Sequence, residues 1–202
     1  MARNVYIVFS STPYKIGKLI RRFTGEEYNH VSLSLDRELR QMYSFARHYY
    51  RTPFYGGFVH ESRARYHLNG TPSRIKICSL TVSDRAYADL ADRLAAMYAH
   101  REQYLYNHLS VATIPFRRLV HLKDARVCTE FVAEQLHSLG LPVNPRKYYS
   151  VGALEALLDD SVIYTGDALP ADPGADPFFS HHPVPLFTTT RTFGRLLYRL
   201  IK

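Results

Sequence analysis

HVSLSLDRELRQMYSFAR, residues 30–47, is the stretch that decides the fold. Val31, Leu33 and Leu35 alternate with Ser32 and Ser34, the period of two expected of a half-buried strand. A turn over residues 37–40 lets residues 41–47 return as the hairpin partner. Upstream, residues 4–11 (NVYIVFSS) read as another strand, followed by a short basic helix closed near Gly25. Downstream, the aromatic, Gly- and Pro-containing run at residues 49–58 reads as a loop. Residues 73–82 (SRIKICSLTV) alternate again and carry Cys78 mid-strand, where a core role is expected. Ser83 or Asp84 then caps a helix to about Glu102, with Tyr87, Leu90, Leu94, Met97 and Tyr98 as its buried stripe. A second helix covers residues 128–139, ended by Gly140 and Pro142, and a third starts at Ser150. The ordered pattern ends at residues 162–166. Strands and helices in this order make an α+β fold, with an antiparallel sheet packed against helices.

Composition bounds the function. At 202 residues the chain suits one domain. The sequence divides into a domain over residues 1–166, a Pro-rich linker over 167–190 and a basic amphipathic helix over 191–202. No apolar run is long enough to span a membrane, and the opening residues lack a signal-peptide core, so cytoplasmic residence is the expectation. Two cysteines fifty residues apart are no disulfide framework. A net charge of +8 favours an anionic partner. It is partly localised in residues 14–23 and 191–202, where basic and apolar residues alternate. In the tail, Phe193, Leu196, Leu197, Leu200 and Ile201 share a helical face. Packing of that face on the chain's own core is the favoured reading; docking on an anionic membrane surface, with the protein peripheral to it, is the alternative. Ten histidines invite a metal reading, but His60, His67, His108, His121, His181 and His182 show no HxxxH or HExxH spacing, so no metal or other cofactor is expected. His181 and His182 are expected to be solvated. No RNP, KH or helix-turn-helix signature supports specific nucleic-acid binding. Glu61 and Glu130 look like paired carboxylates, yet Glu130 falls in the first turn of the Cys128 helix and reads as a cap or ion-pair partner.

The chemistry rests on ARVCTEFVAEQLHSLG, residues 125–140. Cys128 stands in a helical first turn, where the macrodipole and unpaired N–H groups favour a thiolate and make a nucleophile. A nucleophilic cysteine needs a base, and His30, at the start of a strand, supplies an imidazole. Four segments in order, YNHVSLSLD, QMYSFAR, YLYN and VCTEFVAEQL, resemble the marks of the circularly permuted NlpC/P60 proteins, a YiiX-like branch of the papain-like superfamily. The histidine strand precedes the cysteine helix there, as here. The resemblance spans roughly residues 3–165. It implies a papain-like sheet with His30 as base, Cys128 as nucleophile and a third polar residue on the strand after His30, for which hairpin length favours Ser44. The expected function is a cysteine hydrolase or acyltransferase acting on an amide or ester of a small molecule, peptide or acyl-lipid; the alternative is a non-catalytic module binding a small ligand or an anionic surface.

Overall fold

The computed structural model describes residues 2–52, 54–68, 70–171, 176–179 and 186–201; His181 and His182 lie outside the described residues. Six strands form an antiparallel sheet: β1 (Ala2–Ser10), β2 (His30–Ser34), β3 (Met42–Arg47), β4 (Gly56–Glu61), β7 (Arg74–Ser83) and β10 (Val162–Asp167), in the order β10-β7-β1-β2-β3-β4. β5 (His67–Leu68) and β6 (Thr71–Pro72) make a small side hairpin, and β8 (Leu105–Tyr106) pairs in parallel with β9 (Ala125–Arg126). The helices are α1 (Lys15–Thr24), α2 (Asp84–Ala99), α3 (His108–Ala112), α4 (Cys128–Ser138), α5 (Val151–Leu157) and α6 (Leu186–Ile201).

The β2–β3 hairpin forms with Leu33 opposite Tyr43 and Ser34 opposite Met42. Asp36 organises its turn, accepting the Arg40 and Gln41 amides at 2.9 and 2.6 Å. One face of the sheet, with Val31, Leu33, Phe45 and Phe58, packs with α2 and α4 in the main core. The other face is not left to solvent. Tyr6, Val8, Met42, Ile75 and Ile77 form a second cluster there with Leu39 and Tyr66. That cover is why Ser32, Ser34 and Ser44 are fully buried, contrary to a half-buried strand. Buried hydroxyls need partners, and these belong to the polar network described below.

Elsewhere the helix signals hold their places. Gly25 closes α1 in the left-handed region, with φ at 71°. Ser83 caps α2 by accepting the Ala86 N–H at 3.1 Å, and Ser150 caps α5 through Ala153. α2 stops at Ala99, short of Glu102, and Tyr98 is partly exposed rather than part of the buried stripe.

The run read as a loop at residues 49–58 ends inside a strand. β4 begins at Gly56, and its two glycines are there for lack of room: a Cβ on Gly56 would fall 2.6 Å from the Ala46 carbonyl oxygen, and one on Gly57 2.3 Å from that of Tyr104. The stretch taken as a linker is also partly docked. Asp167 belongs to β10, Ala168 is buried, and a short turn at Pro177–Phe179 buries Phe178. Asp176 takes a forked grip from Arg65, at 2.8 and 3.1 Å, and accepts from Ser62 at 2.7 Å.

α6 packs on the domain, through a narrower face than the sequence suggests. Leu196 is fully buried with Leu105, Leu122 and Ala125. Leu197, Leu200 and Ile201 are exposed, while Arg199 reaches inward to the carbonyls of Asp124 and Gln103 at 3.1 and 2.9 Å. The basic residues thus tether the helix, and part of its apolar stripe faces out. No helix among the described residues is long and apolar enough to cross a membrane.

Candidate active site

Cys128 opens α4. Its predecessor Val127 holds the N-cap position without a side-chain acceptor, so the cap comes from within the helix: Glu130 Oε2 accepts the Val127 N–H at 3.1 Å. Glu130 Oε1 also lies 3.5 Å from His121 Nδ1, which completes the structural role expected of this residue. The backbone N–H of Cys128 stands in the first turn, at the positive end of the helix. Just before the cysteine, β9 pairs with β8, where Leu105 N–H and Asn107 N–H donate to the carbonyls of Asp124 and Arg126 at 2.9 Å each. This two-residue ladder sets Tyr106 beside Cys128, close enough to feel its charge.

His30 opens β2 opposite Ser10 of β1. Its Nε2 lies 2.8 Å from Glu61 Oε1, and its side chain is 12% exposed against 2% for Glu61. The Cys128 side chain is the ring's neighbour on another side, near enough to act on its charge. With Nε2–H directed at the carboxylate, Nδ1 is the nitrogen left for the thiol. The structure therefore brings His30 and Cys128 together.

Ser44 is nearby but does not hold the ring. Its hydroxyl donates to Glu61 Oε1, and Glu61 is what touches His30. The register explains the substitution of roles. Glu61 pairs with Met42, and Ser44 with Val59, so both side chains share the sheet face that carries His30 and Ser32. Ser32 Oγ donates to Glu61 Oε2 at 2.9 Å and stands 3.2 Å from His30 Nε2; Tyr66 OH donates to the same Oε2 at 3.2 Å. Glu61 thus accepts from three hydroxyls and meets an imidazole.

The electrostatics follow from that packing. Burial is the largest single influence on His30 and favours the neutral ring. The Glu61 charge, the neighbouring Cys128 and the hydrogen bond to Glu61 together outweigh it and hold the imidazole above its ordinary range. For Glu61, burial favours protonation, but the His30 charge and hydrogen bond, Arg65 and Ser44 hold it below the ordinary carboxylate range. The two stand as an imidazolium–carboxylate pair. Tyr106 is pushed up, mainly by burial and then by the Cys128 charge, so it remains a neutral O–H donor.

Two cavities meet at this seam. One of about 450 Å³ opens on the His30 side, walled by Tyr14, Phe45, Phe54, Phe178 and Phe193. A second, of about 40 Å³, has Cys128 and Thr129 in its wall with Glu26 and Tyr148. Asn29, Tyr106 and Val111 line both. Among the described residues no group of three or more His, Cys, Asp or Glu side chains is placed to hold a metal ion.

Neither Tyr66 nor Tyr106 is singled out from sequence, and Glu61 is taken there only as a carboxylate paired with Glu130 and structural, whereas here Glu61 meets His30. One signal pointed to Glu61: if β3 is followed by a third antiparallel strand, a carboxylate at its far end falls on the face of the histidine strand's serines. Comparison with known protein families, curated proteins and solved structures finds no match to this chain.

Proposed function

We propose that this chain is a cysteine-dependent hydrolase or acyltransferase that acts on an amide or ester, built on a permuted papain-like fold. The observation that carries the reading is His30, placed between the thiol of Cys128 and the buried carboxylate of Glu61. A thiol, a base and an acid that orients the base are the parts that nucleophilic acyl transfer requires. The chain order, histidine strand before cysteine helix, supports the permuted form.

In the proposed reaction the Cys128 sulfur, having given its proton to His30 Nδ1, attacks the carbonyl carbon. The oxygen that becomes negative is met by the Cys128 backbone N–H and the Tyr106 hydroxyl. As the tetrahedral centre collapses, His30 returns the proton to the departing nitrogen or oxygen, leaving a thioester on Cys128. Water, or an acceptor amine or alcohol, then adds with His30 as base and frees the thiol. Glu61 keeps Nε2–H in place throughout and stabilises the imidazolium by charge, which Ser44 alone cannot do.

The test is a small activated ester, p-nitrophenyl acetate, at neutral pH, followed by intact-protein mass. Stoichiometric acetylation confined to Cys128 and absent from Cys128→Ala supports the reading. An unmodified Cys128 under conditions where free thiols of the same exposure react would sink it and leave a ligand-binding module.

A further inference from the structure

The two cavities divide the site in a way that specifies its substrate, provided the proposed acyl-transfer chemistry holds. His30 lines the large cavity and Cys128 the small one. In acyl transfer the group that departs must take its proton from the histidine, so it lies on the side where the imidazole is open. The acyl group that stays behind is bonded to the sulfur. The large cavity therefore receives the leaving group and the small one the acyl group. At about 40 Å³ against about 450 Å³, the small cavity is much the tighter of the two and suits the smaller part of the substrate, a short acyl group.

Each compartment also carries polar atoms that its own fold leaves unsatisfied. In the small cavity Glu26 Oε2 is buried with no hydrogen-bond partner among the described residues. A carboxylate oxygen there asks for a donor on the acyl group, such as an amine. In the large cavity His108 Nε2 is likewise buried and unpartnered. Burial holds this ring neutral, with its pKa lowered to about 4, and the Phe54 backbone lies near enough to act on it. A neutral ring with its proton on Nδ1 leaves Nε2 as an acceptor. Two guanidinium groups reach the same cavity. Arg65 is neutralised by Asp176. Arg47 stacks over the Tyr14 ring at 4.9 Å and donates to the Tyr50 carbonyl at 2.8 Å, but no carboxylate among the described residues pairs with it. The rest of the wall is aromatic.

We infer that the substrate is a conjugate of a short, amine-bearing acyl group, glycyl or alanyl in size, with a bulky aromatic amine or alcohol that carries an acidic group. Glu26 receives the amine, Arg47 the acid, and the aromatic walls with His108 the ring and an N–H or O–H on it. Cleavage forms the S–C bond at Cys128 and breaks the C–N or C–O bond to the aromatic part, whose heteroatom takes the proton from His30. Water then releases the short acid.

Four conjugates of one leaving group test this: glycyl-phenylalanine, acetyl-phenylalanine, octanoyl-phenylalanine and glycyl-phenylalanine amide, scored by the phenylalanine or phenylalanine amide released. The expected order is glycyl over acetyl by about tenfold or more, acetyl over octanoyl by a larger factor, and acid over amide by about tenfold. Glu26→Gln should abolish the preference for glycyl over acetyl, and Arg47→Met the preference for acid over amide. Because both are ratios measured on one variant, a partly unfolded fraction cancels. Octanoyl cleaved as fast as acetyl, or unchanged ratios in both variants, would overturn the inference. Cys128 acetylated by p-nitrophenyl acetate with none of the four conjugates cleaved overturns the substrate class alone; an unreactive Cys128 takes the proposed chemistry down with it.

Discussion

The two cysteines make a controlled comparison within one molecule. Both are buried, both belong to the main core, and neither is in a disulfide. Cys78 lies in the middle of β7, hydrogen-bonded on both sides by β1 and β10, and burial pushes its thiol up to about 11. Cys128 has the same exposure class but stands at a helix start, against His30, at the wall of a cavity. Burial by itself thus tells nothing about reactivity. What separates the two is a neighbouring base and a backbone end with amides to spare.

The largest effect should appear when both are alkylated together. Iodoacetamide at pH 7, read by peptide mass spectrometry, should label Cys128 at least about 100 times faster than Cys78. Comparable slow labelling of both would break the comparison. His30→Ala should then bring Cys128 down toward the Cys78 rate, because the helix start remains while the base is gone.

The next experiment sharpens which neighbour matters. Glu61→Gln keeps the shape of the carboxylate and loses its charge, and should lower kcat/KM on an activated ester by about 10³-fold. Ser44→Ala removes one of several donors to Glu61 and should cost about tenfold or less. Equal losses would mean that Ser44 acts on the ring directly. Tyr106→Phe should lower kcat by about tenfold with little change in KM, as expected of a donor that acts when the oxyanion forms.

Stability should follow the same pair of charges. Glu61 is held below its ordinary pKa of 4.5, down to about 2, so its contribution is complete above pH 4.5 and disappears as pH falls through about 2. His30 is raised from 6.5 to about 10, so its contribution is complete below pH 6.5 and disappears as pH rises through about 10. Melting temperature should therefore decline on both sides of a plateau between pH 4.5 and 6.5, and Glu61→Gln should flatten the alkaline limb. An alkaline limb unchanged in that variant would show that the two do not pair. The smallest effect belongs to Cys78→Ala, which should cost about 1–2 kcal/mol in chemical denaturation and leave Cys128 labelling as it was.

Much of this was legible from residue order. The β2–β3 hairpin and α4 carry strong periodicity, and the ends of those elements mark His30 and Cys128. β4 was not legible, because Gly56 and Gly57 resemble a loop until the close approach of the Ala46 and Tyr104 carbonyls is known. β8 and β9 are two residues each, too short for any period, yet they set Tyr106 beside the cysteine. The pairing of Glu61 with His30 escaped for a related reason. The role of Glu61 depends on a strand register that links it to residues 17 and 31 positions away, and no local pattern encodes that. The tail was legible as a helix but not in its orientation, since which of Leu196 and Leu200 is buried depends on the backbone carbonyls that Arg199 finds.

The wall of the large cavity has an uneven origin along the chain. His30 and Glu61 lie in the first third of the chain, whereas Phe178 and Phe193 come from the last thirty residues, from a turn held by Arg65 and a helix held by Leu196. Inheritance can act on these parts separately. A lineage could exchange the tail and change what enters the cavity while the proposed reacting groups pass on intact, and relatives sharing the His30–Glu61 pair would then diverge first and furthest at their C-terminal ends.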